Sequence, residues 1–221
     1  MIMAMAKLWV LALIAVGAVL PSLSFAVSPT GPLEKLAIVV GFKDHYSSAS
    51  IAEMKRELES VLTIRGLQIE WRDLETMPAH EVFDHIVVAR FTGRCESDLP
   101  QLEGATDGTL GFSHISDGAV IPFTEVDCNK IRNLISRSLQ GESFIRMEYS
   151  YARALGRDLA HEIYHILGET LKHSKHGIAK ALLSPQDLVS GRLEFESAQL
   201  DLLQRKVIAS QPEHVAHASG Q

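Results

Sequence analysis

The sequence predicts a fold of the α/β (α+β) class, in which helices pack on a mixed twisted sheet. Short apolar runs rich in β-branched residues alternate with longer segments whose apolar residues recur every three to four positions. Runs of the first kind are typical of buried strands, and the second spacing is that of amphipathic helices. Because the two kinds of segment alternate along the chain, we expect strands and helices to share one core.

Four elements are predicted in the first half of the chain. Leu36–Phe42 is apolar and β-branched, as in a buried strand, and Ser47–Ile64 carries apolar residues at helical spacing. Leu67–Leu74 alternates apolar and polar residues, which is typical of a half-buried strand, and Val82–Phe91 contains a further apolar run. The order is therefore β-α-β-β or β-α-β-α-β, and either order favours a mixed sheet covered by helices.

A glycine-rich loop, Gly93–Gly111, is expected to lead into a β-hairpin. Its strands are predicted over Leu110–Ile115 and Ala119–Phe123. Asp117 and Gly118 lie between them, and this pair of residues strongly favours a tight hairpin turn.

Helices are predicted over most of the remaining chain. Asp127–Leu139 has apolar residues along one side, and Phe144–Leu167 has a similar apolar line over the length of a long helix. The chain is then irregular until Ser184-Pro185, which is typical of the start of a short helix. Phe195–Ile208 is the last predicted helix, and the polar residues that follow it are expected to form a flexible tail.

The first 26 residues have the pattern of a secretory signal peptide. Lys7 is their only charged residue, an apolar run covers Leu8–Leu20, and small residues follow Pro21 up to Ala26. The run is shorter than the about 20 apolar residues that a membrane span needs. We expect cleavage after Ala26, a secreted or periplasmic protein, and no stable membrane insertion after cleavage. The alternative is an uncleaved anchor.

The charge and the cysteines limit the function further. The net charge of −6 gives no electrostatic support to a nucleic-acid partner. The two cysteines, Cys95 and Cys128, lie beyond the signal segment, and an oxidising compartment favours a disulfide between them. Two buried free thiols are the alternative. Neither cysteine belongs to a C-x-x-C motif, so a redox enzyme is not indicated.

The chemistry of the chain is concentrated in an H-E-x-x-H motif formed by His161, Glu162 and His165. Residues four apart lie on one face of a helix, so the two histidines can direct ring nitrogens at one zinc ion. Glu162 projects about 100° further round the helix, where its carboxylate can take a proton from a metal-activated water. The spacing therefore predicts a zinc site with Glu162 as general base, whereas two solvated histidines on a surface helix are the alternative.

A catalytic zinc ion needs a third protein ligand. His173 follows His165 by eight positions, and Gly168 lets the chain turn out of the helix before it. We therefore predict His173 as the third ligand. His176 and the carboxylate of Glu169 remain as alternatives.

The motif with Gly168, H-E-x-x-H-x-x-G followed by a histidine, resembles that of the metzincin metallopeptidases, which belong to the zincins. In that family the third ligand is the third residue after the glycine, which is Leu171 here, so His173 requires a longer turn. Ala181–Pro185 resembles the family's methionine turn, with Leu183 at the methionine position. The resemblance implies a twisted sheet over the active-site helix.

The same resemblance implies where a substrate would lie. The edge strand Leu110–Ile115 would line the cleft and pair with an extended peptide. Leu110, Gly111 and His114 are therefore candidate cleft residues, although a purely structural hairpin is the alternative. Asp158, one turn before His161, is a candidate for orienting the ring of that histidine, although a solvated carboxylate on the helix is the favoured alternative.

Residues 1–26 are thus predicted to be a signal peptide, 27–209 a single metallopeptidase-like catalytic domain, and 210–221 a flexible tail. The predicted function is that of an exported zinc-dependent metallopeptidase (a metalloendopeptidase) with a peptide or protein substrate and Zn²⁺ as its cofactor. The alternative is a non-enzymatic exported zinc-binding protein with a structural or decayed site. A closed site using both His173 and His176 would favour that alternative, because catalysis needs an open coordination position.

Overall fold

The structure is a computed structural model that describes residues 33–97 and 108–209. Five strands and five α-helices make up its regular elements. The strands are β1 (Glu34–Phe42), β2 (Leu67–Asp73), β3 (His85–Thr92), β4 (Gly111–Ser116) and β5 (Ala119–Asp127), and the helices are α1 (Ser48–Val61), α2 (Cys128–Ser136), α3 (Phe144–Leu167), α4 (Pro185–Val189) and α5 (Ser197–Ala209).

The five strands form one mixed sheet in the order β2-β1-β3-β5-β4. The first four strands in this order run parallel, and β4 pairs antiparallel with β5. The predicted class, a mixed sheet with packed helices, is therefore confirmed, and the first half follows the β-α-β-β alternative. β4 lies at one edge of the sheet, as the hairpin prediction requires.

α1 and α3 pack together against one face of the sheet. The central strand β1 is almost entirely buried, and Leu36, Ile38 and Val40 join the core beside Leu155 of α3. The two helices approach closely at Gly156, where a Cβ atom would lie 2.7 Å from the carbonyl oxygen of Met54. The close contact holds α3, and with it the H-E-x-x-H motif, against α1.

A buried ion pair also joins α3 to α1. The guanidinium of Arg157, whose side chain is 2% exposed, donates from Nε to Glu57 Oε1 at 2.7 Å. Its remaining N–H groups donate to the backbone carbonyls of Asp187, Ser190 and Gly191. One side chain of α3 thus connects α1 with the segment at the end of α4.

Several predicted elements differ in extent from those observed: the strand predicted over Ala119–Phe123 continues to Asp127, and the helix predicted over Ser47–Ile64 ends at Val61. The strand predicted from Val82 begins at His85, and residues 74–84 form turns and irregular chain instead. The helix predicted over Asp127–Leu139 begins one residue later, because Asp127 ends β5 and its carboxylate accepts from the N–H groups of Asn129 and Lys130 as the helix cap. Its last residues form a 3₁₀ turn.

The predicted disulfide between Cys95 and Cys128 is present, and both residues are fully buried. It joins the chain that follows β3 to the start of α2. The predicted signal peptide, residues 1–26, and the predicted tail, residues 210–221, lie outside the described residues. Within residues 33–97 and 108–209, no helix has both the length and the apolar character needed to cross a membrane.

Candidate metal centre

The candidate site occupies the second half of α3. Ser143 caps the start of the helix by accepting from the N–H of Arg146, and the helix extends to Leu167, in agreement with the predicted bounds. His161, Glu162 and His165 are only 8%, 4% and 6% exposed. Burying three ionisable side chains costs free energy unless hydrogen bonds or bound ions compensate for it. The groups that contact these side chains therefore indicate which ligand the site can bind.

The three predicted ligand histidines converge at one point. Nε2 of His165 lies 3.1 Å from Nε2 of His161 and 3.2 Å from Nε2 of His173. One ring nitrogen from each residue lies within 4.8 Å of the others, and this is the one group of potential metal ligands found among the described residues. His173 lies in the exposed segment that follows α3, so the third nitrogen donor comes from a part of the chain outside this helix.

Backbone carbonyls orient the two helical rings. Nδ1 of His161 lies 2.8 Å from the carbonyl oxygen of Ile178, and Nδ1 of His165 lies 2.7 Å from that of Thr170. A carbonyl oxygen only accepts, so each Nδ1 carries the hydrogen and each Nε2 presents its lone pair to the cluster. Carbonyl partners of this kind fix the tautomer of metal-binding histidines.

Burial keeps these rings neutral. It lowers the pKa of His161 to about 4, although the carbonyl of Ile178 acts in the opposite direction. Burial also lowers the pKa of His165, again opposed by its backbone acceptor. Neutral imidazole is the form that binds a metal ion. At neutral pH His161 and His165 therefore direct two nitrogen lone pairs at each other with no proton between them, an arrangement that a cation would stabilise.

The distances fit a zinc ion. A tetrahedral site with zinc–nitrogen bonds of about 2.0–2.1 Å places its nitrogen atoms about 3.3 Å apart. The separations of 3.1 and 3.2 Å around His165 are close to this value. Three imidazoles with one open position are also a donor set used by catalytic zinc.

Gly168 was expected to provide the turn by which the chain leaves α3, but the turn is formed by the next residue. Gly168 has helical dihedral angles, and the residue in the left-handed region is Glu169, with φ of 46°. Glycine is needed at 168 for space, because a Cβ atom would lie 2.6 Å from the carbonyl oxygen of Tyr164. The side chain of Glu169 pairs with Lys206 and is not part of the histidine cluster.

Residues 174–180 form a small closed loop after His173. The N–H of Ser174 donates to the carbonyl of Ala179 at 2.8 Å. Gly177 has φ of +71°, and a Cβ atom there would overlap the carbonyl oxygen of Glu194. That same oxygen accepts from the N–H of Ile178 at 3.0 Å. The loop therefore fixes the carbonyl that orients His161.

An ion pair anchors the end of this loop. Lys180 contacts the carboxylate of Asp187, which also forms a reciprocal capping box with Ser184 at the start of α4. Burial opposes the ionisation of Asp187, but hydrogen bonds from Lys180 and Ser184 outweigh it and lower the pKa of the carboxyl below its ordinary value. The charged form of Asp187 is therefore part of the folded structure.

Glu162 lies beside the histidine cluster without being one of its ligands. Its Oε2 lies 2.7 Å from the hydroxyl of Ser113, which belongs to β4. Burial raises the pKa of Glu162 to about 7, and the hydrogen bond from Ser113 acts against this shift. Glu162 directly follows His161 on α3, so a buried proton-accepting group lies on the same turn of the helix as that histidine.

The structure brings some of the other predicted site residues to the cluster and not others. His176 is exposed, its backbone carbonyl accepts from the side chain of Ser174, and it is outside the cluster. Gly111 packs against Glu162, since a Cβ atom on it would lie 3.2 Å from Glu162 Cγ. His114 instead lies 3.5 Å from Glu125 and contacts the ring of Phe112.

The backbone of Leu110 takes part in strand pairing, and Asp158 does not orient His161. The carbonyl of Leu110 accepts from the N–H of Asp127 at 2.8 Å, so it belongs to the pairing between β4 and β5. Asp158 is buried and does not orient His161, whose Nδ1 contacts Ile178 instead. Its Oδ2 has no hydrogen-bond partner. Burial, followed by the charges of Glu162 and Asp127, raises its pKa well above the ordinary value.

Similarity to known proteins is found among solved structures, but not among family models or curated proteins. No protein-family model matches the sequence, and no curated protein matches it. Among solved structures, archaemetzincin from Methanopyrus kandleri is similar with a TM-score of 0.49 and 16% identity, over 81% of this chain and 98% of that chain. A zinc-dependent peptidase from Methanocorpusculum labreanum is similar with a TM-score of 0.49 and 14% identity, over 75% of this chain and 99% of that chain. At these values the likeness carries no argument about activity, and the functional interpretation depends on the geometry of the site.

Proposed function

We propose that the protein is a zinc-dependent metallopeptidase that hydrolyses peptide bonds with Glu162 as the general base. The observation that carries this proposal is the convergence of three imidazole nitrogens from His161, His165 and His173 beside a buried carboxylate. A zinc ion held by the three histidines would polarise a peptide carbonyl and increase the acidity of a nearby water.

Groups of the protein itself orient the metal ligands, transfer the proton and exclude solvent. The carbonyls of Ile178 and Thr170 hold the two helical imidazoles with Nε2 directed at the cluster. Glu162 accepts a proton from the attacking water and delivers it to the nitrogen that leaves when the peptide bond breaks. The burial of α3 around these groups excludes bulk solvent from the proton transfer.

The edge strand supplies a place for an extended substrate. Because the carbonyl of Leu110 is bonded to β5, and backbone groups alternate along an antiparallel strand, those of Gly111 and Ser113 point away from β5. Among the described strands, β4 pairs with β5 alone. A peptide added at this edge would hydrogen-bond to Gly111 and Ser113 beside Glu162.

The position of His176 supports catalysis over a structural zinc site. A closed structural site has four protein ligands, and His176 was the residue expected to complete one. It lies outside the cluster formed by His161, His165 and His173. Three histidines leave a coordination position for water or substrate.

The central experiment compares Glu162→Gln with the wild-type protein. Glu162→Gln should bind zinc as the wild type does and lose at least about 100-fold in hydrolysis of a mixture of fluorogenic peptides, because the amide cannot accept the proton. Glu169→Gln is a matched control, since this carboxylate is exposed and pairs with Lys206. Wild-type activity in Glu162→Gln would refute the catalytic role.

We also propose that the protein acts outside the cytoplasm. The pattern of residues 1–26 and the pairing of Cys95 with Cys128 support this location. N-terminal sequencing of protein isolated from its native cells should find Val27 as the first residue. A chain that still begins at Met1 would favour the uncleaved alternative.

A further inference from the structure

The strand β4 contacts the general base through one side chain, that of Ser113. The Ser113 hydroxyl oxygen lies 2.7 Å from Glu162 Oε2 and 3.1 Å from the backbone carbonyl oxygen of Glu162. A hydroxyl group has one proton to donate. The carboxylate oxygen is the nearer of the two, and in the ionised form of Glu162 it is also the stronger acceptor. One oxygen of Glu162 is therefore held by the neighbouring strand.

Pairing between β4 and β5 fixes the backbone at Ser113 and with it the position of the serine side chain. Ser113 is paired with Thr124 of β5, whose hydroxyl donates to the carbonyl of Phe112 at 3.0 Å. Gly111, two residues earlier, lies on the same face of β4, and a Cβ atom on it would lie 2.7 Å from Asp158 Oδ2. The missing side chain at 111 lets β4 approach α3 closely enough for the short serine side chain to reach Glu162.

The other polar neighbour of Glu162 on its own helix does not make such a contact through its buried oxygen. Asp158 lies one turn earlier, and its Oδ2 is buried with no hydrogen-bond partner. An ionised Asp158 would repel the charge of Glu162. Among the described residues, Ser113 is the side-chain hydrogen-bond partner of the Glu162 carboxylate.

We propose that Ser113 is a positioning residue for the general base: its hydroxyl holds Oε2 of Glu162 so that Oε1 faces the attacking water. This inference rests on the proposed peptidase function and adds a residue to it. A small misplacement of a catalytic group can reduce a rate about 100-fold. The effect of Ser113 should therefore appear in kcat, whereas substrate binding through the strand backbone should persist.

The test uses Ser113→Thr, Ser113→Val and Ser113→Ala. Threonine retains the hydroxyl and valine has nearly the same shape without it, and β-branched residues are compatible with a strand. We expect Ser113→Thr to retain kcat within about threefold, and Ser113→Val and Ser113→Ala to lose about 10- to 100-fold in kcat. KM and the zinc content should stay close to wild type. Ser116→Val, an exposed change on the same strand, controls for general effects of substitution.

A structural readout accompanies the kinetics. Crystal structures of the zinc-loaded wild type and Ser113→Val should show Oε2 of Glu162 within hydrogen-bond distance of Ser113 in the former and displaced in the latter. The inference is overturned if Ser113→Val retains wild-type kcat, if only KM changes, or if the zinc-loaded wild type lacks this contact. If the wild type hydrolyses no peptide, the proposed function fails, and the crystal structures still decide whether Ser113 holds Glu162.

Discussion

Removing the buried cation at Arg157 should strongly destabilise the protein. This guanidinium is 2% exposed and forms an ion pair with Glu57. It also donates to three backbone carbonyls near the end of α4. In Arg157→Met the side chain keeps much of its apolar volume but donates no hydrogen bond. The carboxylate of Glu57 then stays buried without this partner, whereas the three carbonyls belong to partly or fully exposed residues.

The size of the effect follows from these contacts. Removing one member of a buried ion pair costs about 3–5 kcal/mol, because the remaining charge stays buried. Arg153 Nε lies 3.5 Å from the other oxygen of Glu57 and compensates for part of this cost. The three carbonyls belong to partly or fully exposed residues, so water can replace the lost hydrogen bonds and their loss adds little. We therefore expect a loss of about 4 kcal/mol in the free energy of unfolding, or about 8–16 °C in Tm.

Urea unfolding followed by circular dichroism measures this loss. Arg192→Met is the matched control, because Arg192 forms an ion pair with Glu194 but its side chain is 85% exposed. The control should change stability by less than about 1 kcal/mol. Adding Glu57→Gln to Arg157→Met should restore more than about 1 kcal/mol, since it removes the unpaired charge. A loss below about 1 kcal/mol in Arg157→Met would refute the reasoning.

Three further changes test other parts of the structure. Replacing Cys95 and Cys128 by alanine should lower the free energy of unfolding by about 4 kcal/mol, because the disulfide joins residues 33 positions apart and restricts the unfolded chain; equilibrium unfolding measures this. Gly177→Ala should weaken zinc affinity in a chelator competition, because the new Cβ atom would displace the loop that follows His173. Asp187 has a lowered pKa, so its charge stabilises the fold above about pH 4, and this contribution disappears as the pH falls further. Asp187→Asn should therefore be less stable than wild type at pH 6 and approach it near pH 2 in stepped-pH urea unfolding.

Each of these three predictions would be contradicted by a specific measurement. A reduced wild-type protein as stable as the oxidised one would contradict the role of the disulfide. Gly191→Ala is the control for Gly177→Ala: it also has a positive φ, but no atom lies within 4 Å of its new Cβ. Equal loss of zinc affinity in both glycine variants would contradict the displacement argument. A stability difference for Asp187→Asn that is the same at pH 6 and pH 2 would contradict the charge argument.

The residue pattern predicted the active-site helix well and some other elements less well. α3 combines a long apolar line, Ser143 as its cap and sustained helical spacing, so both its ends were predictable. The strand predicted from Val82 begins only at His85 because an apolar residue does not by itself show whether the chain is paired. Val82 is 88% exposed, which a local apolar pattern could not reveal.

The site was predictable where its residues share one helix. His161, Glu162 and His165 are related by helical spacing, which is a local property. The choice between His173 and His176 depends on how residues 168–180 fold back, and backbone hydrogen bonds determine that path. The role of Ser113 has no local signal, since it depends on how closely β4 approaches α3. The carbonyls of Ile178 and Thr170 are backbone groups, for which residue identity carries no signal.

Anomalous X-ray diffraction from crystals of the zinc-loaded protein, collected above and below the zinc absorption edge, tests the central claim most directly. The geometry predicts one zinc peak about 2.0–2.1 Å from Nε2 of each of His161, His165 and His173. His176 should be absent from the coordination sphere, and Glu162 should lie beside the ion without binding it. A peak bound by other residues, a fourth protein ligand that closes the site, or no zinc at these histidines would contradict the account.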